Sequence, residues 1–324
     1  MALRPHFQKL VEKTRMHSPL PAAVVYPCDR ESLQLALSGA FAGYLAPTLV
    51  GPETRIRDLA SKFGLDISRL PIVGTADEPR AAGLRAVELA RGGHVSALIK
   101  GSLGNEDLLG PVAAHDSGLR TDRRLSHAFF LDLPGMPRGM LLADAQLNVS
   151  PNLAAKKDIV LNTIQLANSL GMAAPHVALL AAMDGPAPAF PSTLDAVALK
   201  SMAAQGMFGG ALVDGPLTPD SALSGDAARQ SGVTSEVAGR VDVLIAPSME
   251  AALMVLRTML AFSSGLAAGI VLGARIPVVI PARSDSMEVR MASCVLASLA
   301  ISGASGTAPN HAGAVGSSIA AVAA

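Results

Sequence analysis

The sequence predicts a protein of two α/β domains. Three observations support this class: the length of 324 residues, the alternation of short apolar runs with helix-periodic segments, and the Gly, Pro and polar residues that close the apolar runs. This length exceeds one ordinary domain, and strands that alternate with helices are typical of parallel sheets covered on both faces. Half of the residues are hydrophobic, so the chain can bury a large aliphatic core.

The first part of the chain contains four predicted strands. A short helix is expected within residues 1–18, and further helices at 33–42, 53–63 and 78–91. Glycines 92 and 93 end the last of these helices, since glycine readily adopts helix-stopping conformations. We therefore expect a parallel sheet, with strands at Ala22–Tyr26, Ala46–Val50, Ile72–Val73 and Val95–Ile99.

The middle of the chain begins with two strands joined by a short Pro/Gly loop, which allows an antiparallel pair. A second α/β unit follows, with helices expected at 153–170, at 193–205 with Ser192 as its N-cap, and at 249–262. The predicted strands of this region are Leu125–Leu133, Gly139–Ala145, Val177–Ala181, Ala211–Asp214, Val241–Ala246 and Ala268–Leu272.

The stretch 276–299 reads as a short apolar strand, a sharp turn and a helix. We expect this strand and helix to return to the first domain. The predicted domains are therefore residues 1–140 with 277–303, and residues 141–276. Residues 304–324 are rich in Gly, Ala and Ser without periodicity, which predicts a flexible tail.

The turn of this last unit carries Arg283, Ser284, Asp285 and Ser286 between a strand and a helix N-terminus. Ligands of open α/β sheets bind at this end of the strands, and a helix N-terminus favours phosphate. Arg283 adds a planar fork that matches phosphate oxygens. Asp285 has two interpretations: a base, or a helix cap that accepts backbone N–H bonds.

Polar residues follow two other predicted strands. Lys100, Gly101 and Ser102 come after one strand, where Gly lets a ligand approach the backbone and Lys supplies a charge for phosphate. A purely structural strand-end loop is the alternative. Asp144 and Asn148 flank the turn after another strand, and here turn capping by Asx side chains is the alternative to ligand binding.

Several residue patterns favour structural roles. The arginines of GLRTDRRLSH, at positions 120, 123 and 124, are typical of a solvated face. His127 lies within a strand-like run, which favours a buried structural histidine. Cys28 follows the first strand, and an inert buried thiol is favoured over a reactive one.

Composition excludes some classes of protein. Lys plus Arg and Asp plus Glu both total 26, so no net charge directs the chain to nucleic acid or to an anionic membrane. Two cysteines form neither a disulfide framework nor a zinc cluster, and we expect a reducing, cytoplasmic location. We find no HExxH, no GxSxG and no GxGxxG after a strand, so metal and Ser-triad chemistry are not predicted.

Taken in order, six segments of the chain resemble the phosphate acetyltransferase / phosphate butyryltransferase family, most closely its butyryltransferase-like branch, as found fused to enoyl-CoA hydratase domains. The segments are KGSLGNEDLL, GLRTDRRLSH, LLADAQLNVSPNLAAKKDIVLN, GGALVDGPLTPDSA, SEVAGRVDVLIAP and GIVLGARIPVVIPARSDS. The resemblance implies a fold similar to isocitrate and isopropylmalate dehydrogenases, with the site in a central cleft between domains, and a homodimer. It implies a reversible reaction of a short-chain acyl-CoA, such as acetyl- or butyryl-CoA, with phosphate, with CoA as substrate and no further cofactor.

The resemblance also implies roles for residues. Arg283 matches the family's turn arginine, and Asp285 and Ser286 match the butyryl-like turn. Ala282 and Val289 stand where the acetyl branch has a serine and an aspartate. Asp285 is therefore the first candidate for the base that takes the CoA thiol proton, and Glu288 the second. The predicted binding residues are Lys100, Gly101, Ser102, Arg138, Asp144, Asn148, Ser284 and Ser286.

Two other functions stay open from the sequence. The missing serine allows a non-catalytic protein that binds CoA or acyl phosphate. An NAD-dependent dehydrogenase on the same fold is the third possibility, but the chain shows no obvious cluster of metal-binding aspartates. Phosphate-dependent thiol release, CoA binding without turnover, and NAD reduction distinguish the three.

Overall fold

The computed structural model describes residues 4–305, with side chains to residue 302. Its described strands form one sheet of eleven strands. In chain order they are β1 Leu20–Val25, β2 Leu45–Gly51, β3 Ile72–Gly74, β4 Ala97–Lys100, β5 Ser126–Asp132, β6 Met140–Ala143, β7 His176–Leu180, β8 Leu212–Leu217, β9 Val243–Ile245, β10 Leu266–Leu272 and β11 Val278–Val279.

Helices alternate with these strands, as the sequence predicts. The described helices are α1 Pro5–Thr14, α2 Arg30–Phe41, α3 Glu53–Lys62, α4 Pro79–Arg91, α5 Asn105–Ala113, α6 Leu153–Ser169, α7 Pro191–Ala204, α8 Pro219–Leu223, α9 Gly225–Gln230, α10 Met249–Ala261 and α11 Met287–Ser305.

The strand order is β3-β2-β1-β4-β11-β10-β5-β6-β9-β7-β8. The five strands from β3 to β11 are parallel, and so are the four from β6 to β8. Between these groups β10 and β5 pair antiparallel to each other, and each pairs antiparallel to its outer neighbour. The pair β5–β6 is therefore antiparallel, an arrangement that the short Pro/Gly loop allows.

The position of β11 determines where its turn lies. It pairs parallel with β4 and antiparallel with β10, although it follows all the other strands in the chain. The continuous apolar run Val278–Ile280 fits this place, since all three residues are buried. α11 packs on α1, α2, α6 and β10.

Some local expectations are wrong. Ser192 does not cap α7, because this helix already begins at Pro191 and its N-cap Phe190 makes no side-chain cap bond. The sequence also gave no indication of α5, whose Gly110 and Pro111 argue against a helix. Of the predicted tail, residues 306–324 lie outside the described part of the chain.

Candidate active site

Three loops leave the same edge of the sheet. The strands β1, β4 and β11 are adjacent and parallel, so their carboxyl ends point the same way. The loops that follow them are residues 26–29, 101–104 and 280–286. This edge therefore brings together Lys100 and the Arg283 turn, two predicted features that lie far apart in the sequence.

The first two loops are joined through the backbone of Tyr26. Its φ of 52° is in the left-handed region, which is rare for an aromatic residue. Its carbonyl accepts hydrogen bonds from the Cys28 N–H at 2.8 Å, the Ser102 N–H at 3.0 Å and the Ser102 hydroxyl at 3.1 Å. The Ser102 hydroxyl is thus used to hold the two loops together.

Gly101 allows this close approach. A Cβ at Gly101 would lie 2.5 Å from the carbonyl oxygen of Tyr26 and 2.6 Å from that of Val25. Such distances are far below van der Waals contact with rigid backbone atoms, so glycine is required here.

The side chain of Tyr26 is also held by hydrogen bonds. Its hydroxyl donates to Asp77 at 2.6 Å and accepts from Arg55 at 2.9 Å. Burial and the bond to Asp77 raise the pKa of Tyr26 to about 12. These contacts restrain the side chain of the residue whose carbonyl joins the two loops.

Two hydrogen bonds between Ala282 and Asp285 define the third loop. The Ala282 N–H donates to the Asp285 carboxylate at 2.7 Å, and the Asp285 N–H donates to the Ala282 carbonyl at 3.1 Å. The hydroxyl of Ser286, not the carboxylate of Asp285, accepts the N–H of Val289 in the first turn of α11. Among the described contacts, Asp285 therefore shapes the turn and Ser286 caps the helix.

Lys100 lies close enough to this turn for the charges of Arg283 and Asp285 to act on its ammonium. Burial, followed by the positive charges of Arg283 and Arg290, lowers the pKa of Lys100, while Asp29 and Asp285 act in the opposite direction. The ammonium donates to the Leu103 carbonyl at 3.3 Å. This is its one hydrogen bond within the described residues, and an ammonium has three donors, so donors remain for an anion.

Most side chains of the turn and of the first residues of α11 are accessible to solvent. Arg283, Ser284 and Ser286 are exposed, and Asp285 is half-buried. Glu288 is also exposed, and it forms an ion pair with Arg4. The positive partner makes Glu288 a weaker candidate for the base than Asp285.

Arg138 lies just before β6, and its partners lie just before β9. Its guanidinium donates to the Arg240 carbonyl at 3.2 Å and to the Asp242 carboxylate at 3.0 Å. Asp242 is buried and also accepts from the backbone N–H of His176 at 2.9 Å. Since β10 and β5 separate β6 from β11, no described bond connects Arg138 to the Arg283 turn.

Asp144 and Asn148 form one compact turn after β6. The Asp144 carboxylate accepts the N–H groups of Gln146 and Leu147 at 2.9 and 3.0 Å, and the Asn148 amide donates to it. Asn148 also donates to the Leu125 carbonyl at 2.9 Å. The described bonds are those of an Asx-type turn, and ligand binding by these two residues stays a prediction.

A cleft of about 850 Å³ connects this turn with the first part of the chain. Its basic and amide lining residues include Arg80, Asn105, Arg120, Arg124 and Asn148. The carboxylates of Glu106, Asp122 and Asp158 line the same cleft. Arg120 and Arg124 are exposed, as the sequence predicts, and they border this cleft. Arg123 also reaches this cleft, but its guanidinium donates to Asn162 and Gln165.

Sequence reasoning missed three residues of the site: Tyr26, Asp29 and Arg290. Asp29 caps α2 by accepting the Ser32 N–H at 2.7 Å, and its spacing to Ser32 before an apolar segment is a readable signal. Tyr26 and Arg290 gave no signal, because a left-handed φ and bonds to turn carbonyls depend on the folded backbone.

Burial raises the pKa of the Cys28 thiol to about 11, which agrees with an inert cysteine. Within residues 4–305, no group of three or more His, Cys, Asp or Glu side chains is arranged to hold a metal ion. No described helix is long and apolar enough to cross a membrane.

Fold and site together define an α/β protein in which a lysine and an arginine-bearing turn lie at one edge of the sheet, beside a helix N-terminus. A family model described as phosphate acetyl/butaryl transferase matches residues 79–298. The chain belongs to this family, as its six motif segments predict.

Curated relatives match over most of their length. The chain is 41% identical over 293 residues to a phosphate acetyltransferase of Rhizobium meliloti, covering 90% of this chain and 92% of the relative. It is 34% identical to a phosphate butyryltransferase of Clostridium acetobutylicum, covering 90% and 97%. A crystal structure of a branched-chain phosphotransacylase from Enterococcus faecalis superposes with a TM-score of 0.77 at 24% identity, over 87% of this chain and 99% of that one. This last likeness concerns the fold alone.

Proposed function

We propose that this protein is a phosphate acyltransferase that converts a short-chain acyl-CoA and phosphate reversibly to acyl phosphate and CoA. The observation that carries the proposal is the meeting of Lys100 with the Arg283 turn at one sheet edge, in a chain of the phosphate acetyl/butaryl transferase family. The chain matches relatives named for acetyl transfer and relatives named for butyryl transfer, so the proposal includes both acetyl-CoA and butyryl-CoA as substrates.

The reaction is one acyl transfer. A phosphate oxygen attacks the thioester carbonyl carbon, the new C–O bond forms, the C–S bond breaks, and the CoA sulfur leaves and takes up a proton. In the reverse direction the thiol loses that proton before it attacks acyl phosphate. The enzyme must therefore hold phosphate and thioester in line and handle one proton.

We assign phosphate binding to Arg283, Lys100 and the exposed hydroxyls of Ser284 and Ser286. The guanidinium supplies a bidentate fork, and the half-buried ammonium of Lys100 acts with reduced solvent screening. Gly101 and Ser102 serve by positioning Lys100, since their described contacts are with the backbone of Tyr26 and Val25.

Asp285 is the proposed base for the CoA thiol. Its carboxylate makes one described hydrogen bond, to Ala282, and it has no ion-pair partner within residues 4–305. One carboxylate oxygen is therefore available to accept a proton. The cleft beside α5 carries four arginines and the three carboxylates of Glu106, Asp122 and Asp158, so a small excess of positive charge favours the polyanionic nucleotide end of CoA there. The leucines of the cleft offer apolar contact to the adenine.

We further propose two domains, residues 1–140 with 277–303 and residues 141–276, in an arrangement like that of isocitrate and isopropylmalate dehydrogenases. The pairing of β11 with β4 supports the return of the chain to the first domain. A second apolar cluster, most of whose buried members lie within 141–276, supports the second domain, and the larger cluster draws residues from both. A homodimer and a cytoplasmic location complete the proposal, and the two buried free cysteines fit a reducing compartment.

The test is thiol release from acetyl-, propionyl-, butyryl- and branched-chain acyl-CoA, with and without phosphate. The proposal expects release that depends on phosphate and equals the acyl phosphate formed. Tight CoA binding without turnover of any thioester would contradict it and favour a binding protein. NAD reduction without thiol release would favour a dehydrogenase.

A further inference from the structure

Arg290 is a buried cation in the first turns of α11, with 6% of its surface exposed. It has no ion-pair partner among residues 4–305. Its guanidinium instead donates to three backbone carbonyls of the preceding turn: Nε to Asp285 at 3.1 Å, and one terminal nitrogen to Ala282 at 2.9 Å and Arg283 at 3.4 Å. Burying a charge is costly, so these carbonyl contacts are what stabilises Arg290 in place.

These contacts fix the orientation of three peptide units. The cis peptide bonds of the described chain lie elsewhere, so the peptide bonds after Ala282, Arg283 and Asp285 are trans. In a trans peptide the C=O and N–H groups point in opposite directions. Because the three carbonyls point at the guanidinium, the N–H groups of Arg283, Ser284 and Ser286 point away from it.

Those three N–H groups are unused. Within the described residues none of them donates a hydrogen bond. By contrast, the Ala282 N–H donates to the Asp285 carboxylate, and the Asp285 N–H donates to the Ala282 carbonyl. The three free N–H groups point away from Arg290, and they belong to a turn in which the Arg283 and Ser284 side chains are exposed. Free backbone N–H groups of one turn are suitable donors for an anion.

We propose that Arg290 is a positioning residue, which orients the 282–286 turn so that its free N–H groups bind the phosphate substrate. The inference rests on the proposed function and adds to it a residue that does not touch the substrate. The planar guanidinium is needed because an ammonium cannot present several donors in one fixed fork to three carbonyls. The positive charge of Arg290 also acts on Lys100, whose pKa it helps to lower.

The test compares Arg290→Lys and Arg290→Met with the wild type. We measure the KM for phosphate, the KM for the acyl-CoA and kcat, and the binding of inorganic phosphate by calorimetry. Loss of charge-assisted contacts of about 1.5–3 kcal/mol predicts a phosphate KM raised roughly tenfold to a hundredfold, with the acyl-CoA KM within about twofold of wild type. Guanidinium ion added to Arg290→Ala should restore part of the phosphate affinity.

Ser293→Ala is the matched control. Ser293 lies one turn further along α11, is buried, and accepts the Gly269 N–H at 3.0 Å, so its loss weakens the packing of the helix without touching the turn. We expect Ser293→Ala to lower the unfolding midpoint and leave the phosphate KM unchanged. If Arg290→Met does not fold, Arg290→Lys, which keeps a long cationic side chain, decides the question.

Two results would overturn the inference: a wild-type phosphate KM in folded Arg290→Lys and Arg290→Met, or an equal rise in that KM in Ser293→Ala. Failure of the proposed function looks different. If the wild type releases no thiol from any acyl-CoA in the presence of phosphate, that function is wrong, and calorimetry with inorganic phosphate still measures the role of Arg290.

Discussion

The carboxylate of Asp285 and the backbone of Ala282 hold each other in a closed turn, with an N–H donated in each direction at 2.7 and 3.1 Å. The side chain proposed as the base is therefore also part of the scaffold that presents Arg283. A substitution at Asp285 tests chemistry only if it keeps the acceptor for the Ala282 N–H.

Asp285→Asn meets that condition, because the amide oxygen can accept the same hydrogen bond. If Asp285 is the base, we expect turnover to fall by about a hundredfold or more, and the acidic limb of the pH–rate profile to flatten, since no carboxylate titrates. The measurement is kcat against pH in the direction of acyl-CoA synthesis. Asp285→Ala is the comparison, and it should lose unfolding stability as well. Full activity of Asp285→Asn at every pH would leave Asp285 with only a structural role.

Arg283→Lys keeps the charge of the exposed turn arginine and removes its bidentate fork. We expect turnover to fall roughly tenfold to a thousandfold, the range for loss of one transition-state contact. The unfolding midpoint should hardly change, because the Arg283 side chain is exposed. Arg275→Lys, at an exposed arginine before β11, is the control and should behave as wild type. Wild-type turnover of Arg283→Lys would remove the centre of the proposed site.

Gly101→Ala tests the contact between the loops after β1 and β4. Its Cβ would meet the Tyr26 and Val25 carbonyl oxygens at 2.5 and 2.6 Å, so one loop must shift. We expect a loss of about 1–3 kcal/mol in urea unfolding, the usual cost of overpacking, together with a raised phosphate KM because Lys100 moves. Gly185→Ala is matched to it, since nothing lies within 4 Å of a Cβ there. Equal stability of the two variants would show that the loops adjust freely.

His127 predicts how stability depends on pH. It is buried in β5, its Nδ1 has no hydrogen-bond partner within the described residues, and burial lowers its pKa to about 3. The unfolded chain takes up a proton near pH 6.5, which the folded chain does not. Because only the unfolded chain takes up this proton, acid favours unfolding. Above about pH 6.5 His127 costs no stability, and as the pH falls from there toward about 3 the free energy of unfolding decreases by up to ~1.4 kcal/mol per pH unit.

The measurement is the free energy of unfolding at several pH values between 3 and 8. His127→Leu, of similar size and without a titrating group, should show a shallower loss in acid than the wild type. His94→Gln, at an exposed position, should keep the wild-type slope. Parallel slopes for the wild type and His127→Leu would contradict the assignment of the acid loss to His127.

The elements of this fold were predictable to the extent that their signals are local. Apolar runs and helical periodicity located the strands from β1 to β11, and the Pro/Gly loop before Gly139 allowed the antiparallel pair β5–β6. The helix α5 was missed because Gly110 and Pro111 are poor helix formers, and packing of Gly83 against Asp107 and Pro111 stabilises it nonetheless.

The sequence by itself determined the chemistry available at the site: a lysine after β4, an arginine-bearing turn after β11, and the spaced motifs of the family. Only the tertiary structure decided which of these residues meet. Hydrogen bonding places β11 beside β4, and this brings Lys100 to the Arg283 turn. Arg138 and Asp144 flank β6, which β10 and β5 separate from β11. The role of Arg290 also belongs to the fold, because side-chain donors find turn carbonyls only after the backbone has been oriented. Periodicity and residue type are properties of the chain itself, whereas strand order depends on hydrogen bonds between distant segments, and the contacts of Arg290 depend on the folded path of the neighbouring turn.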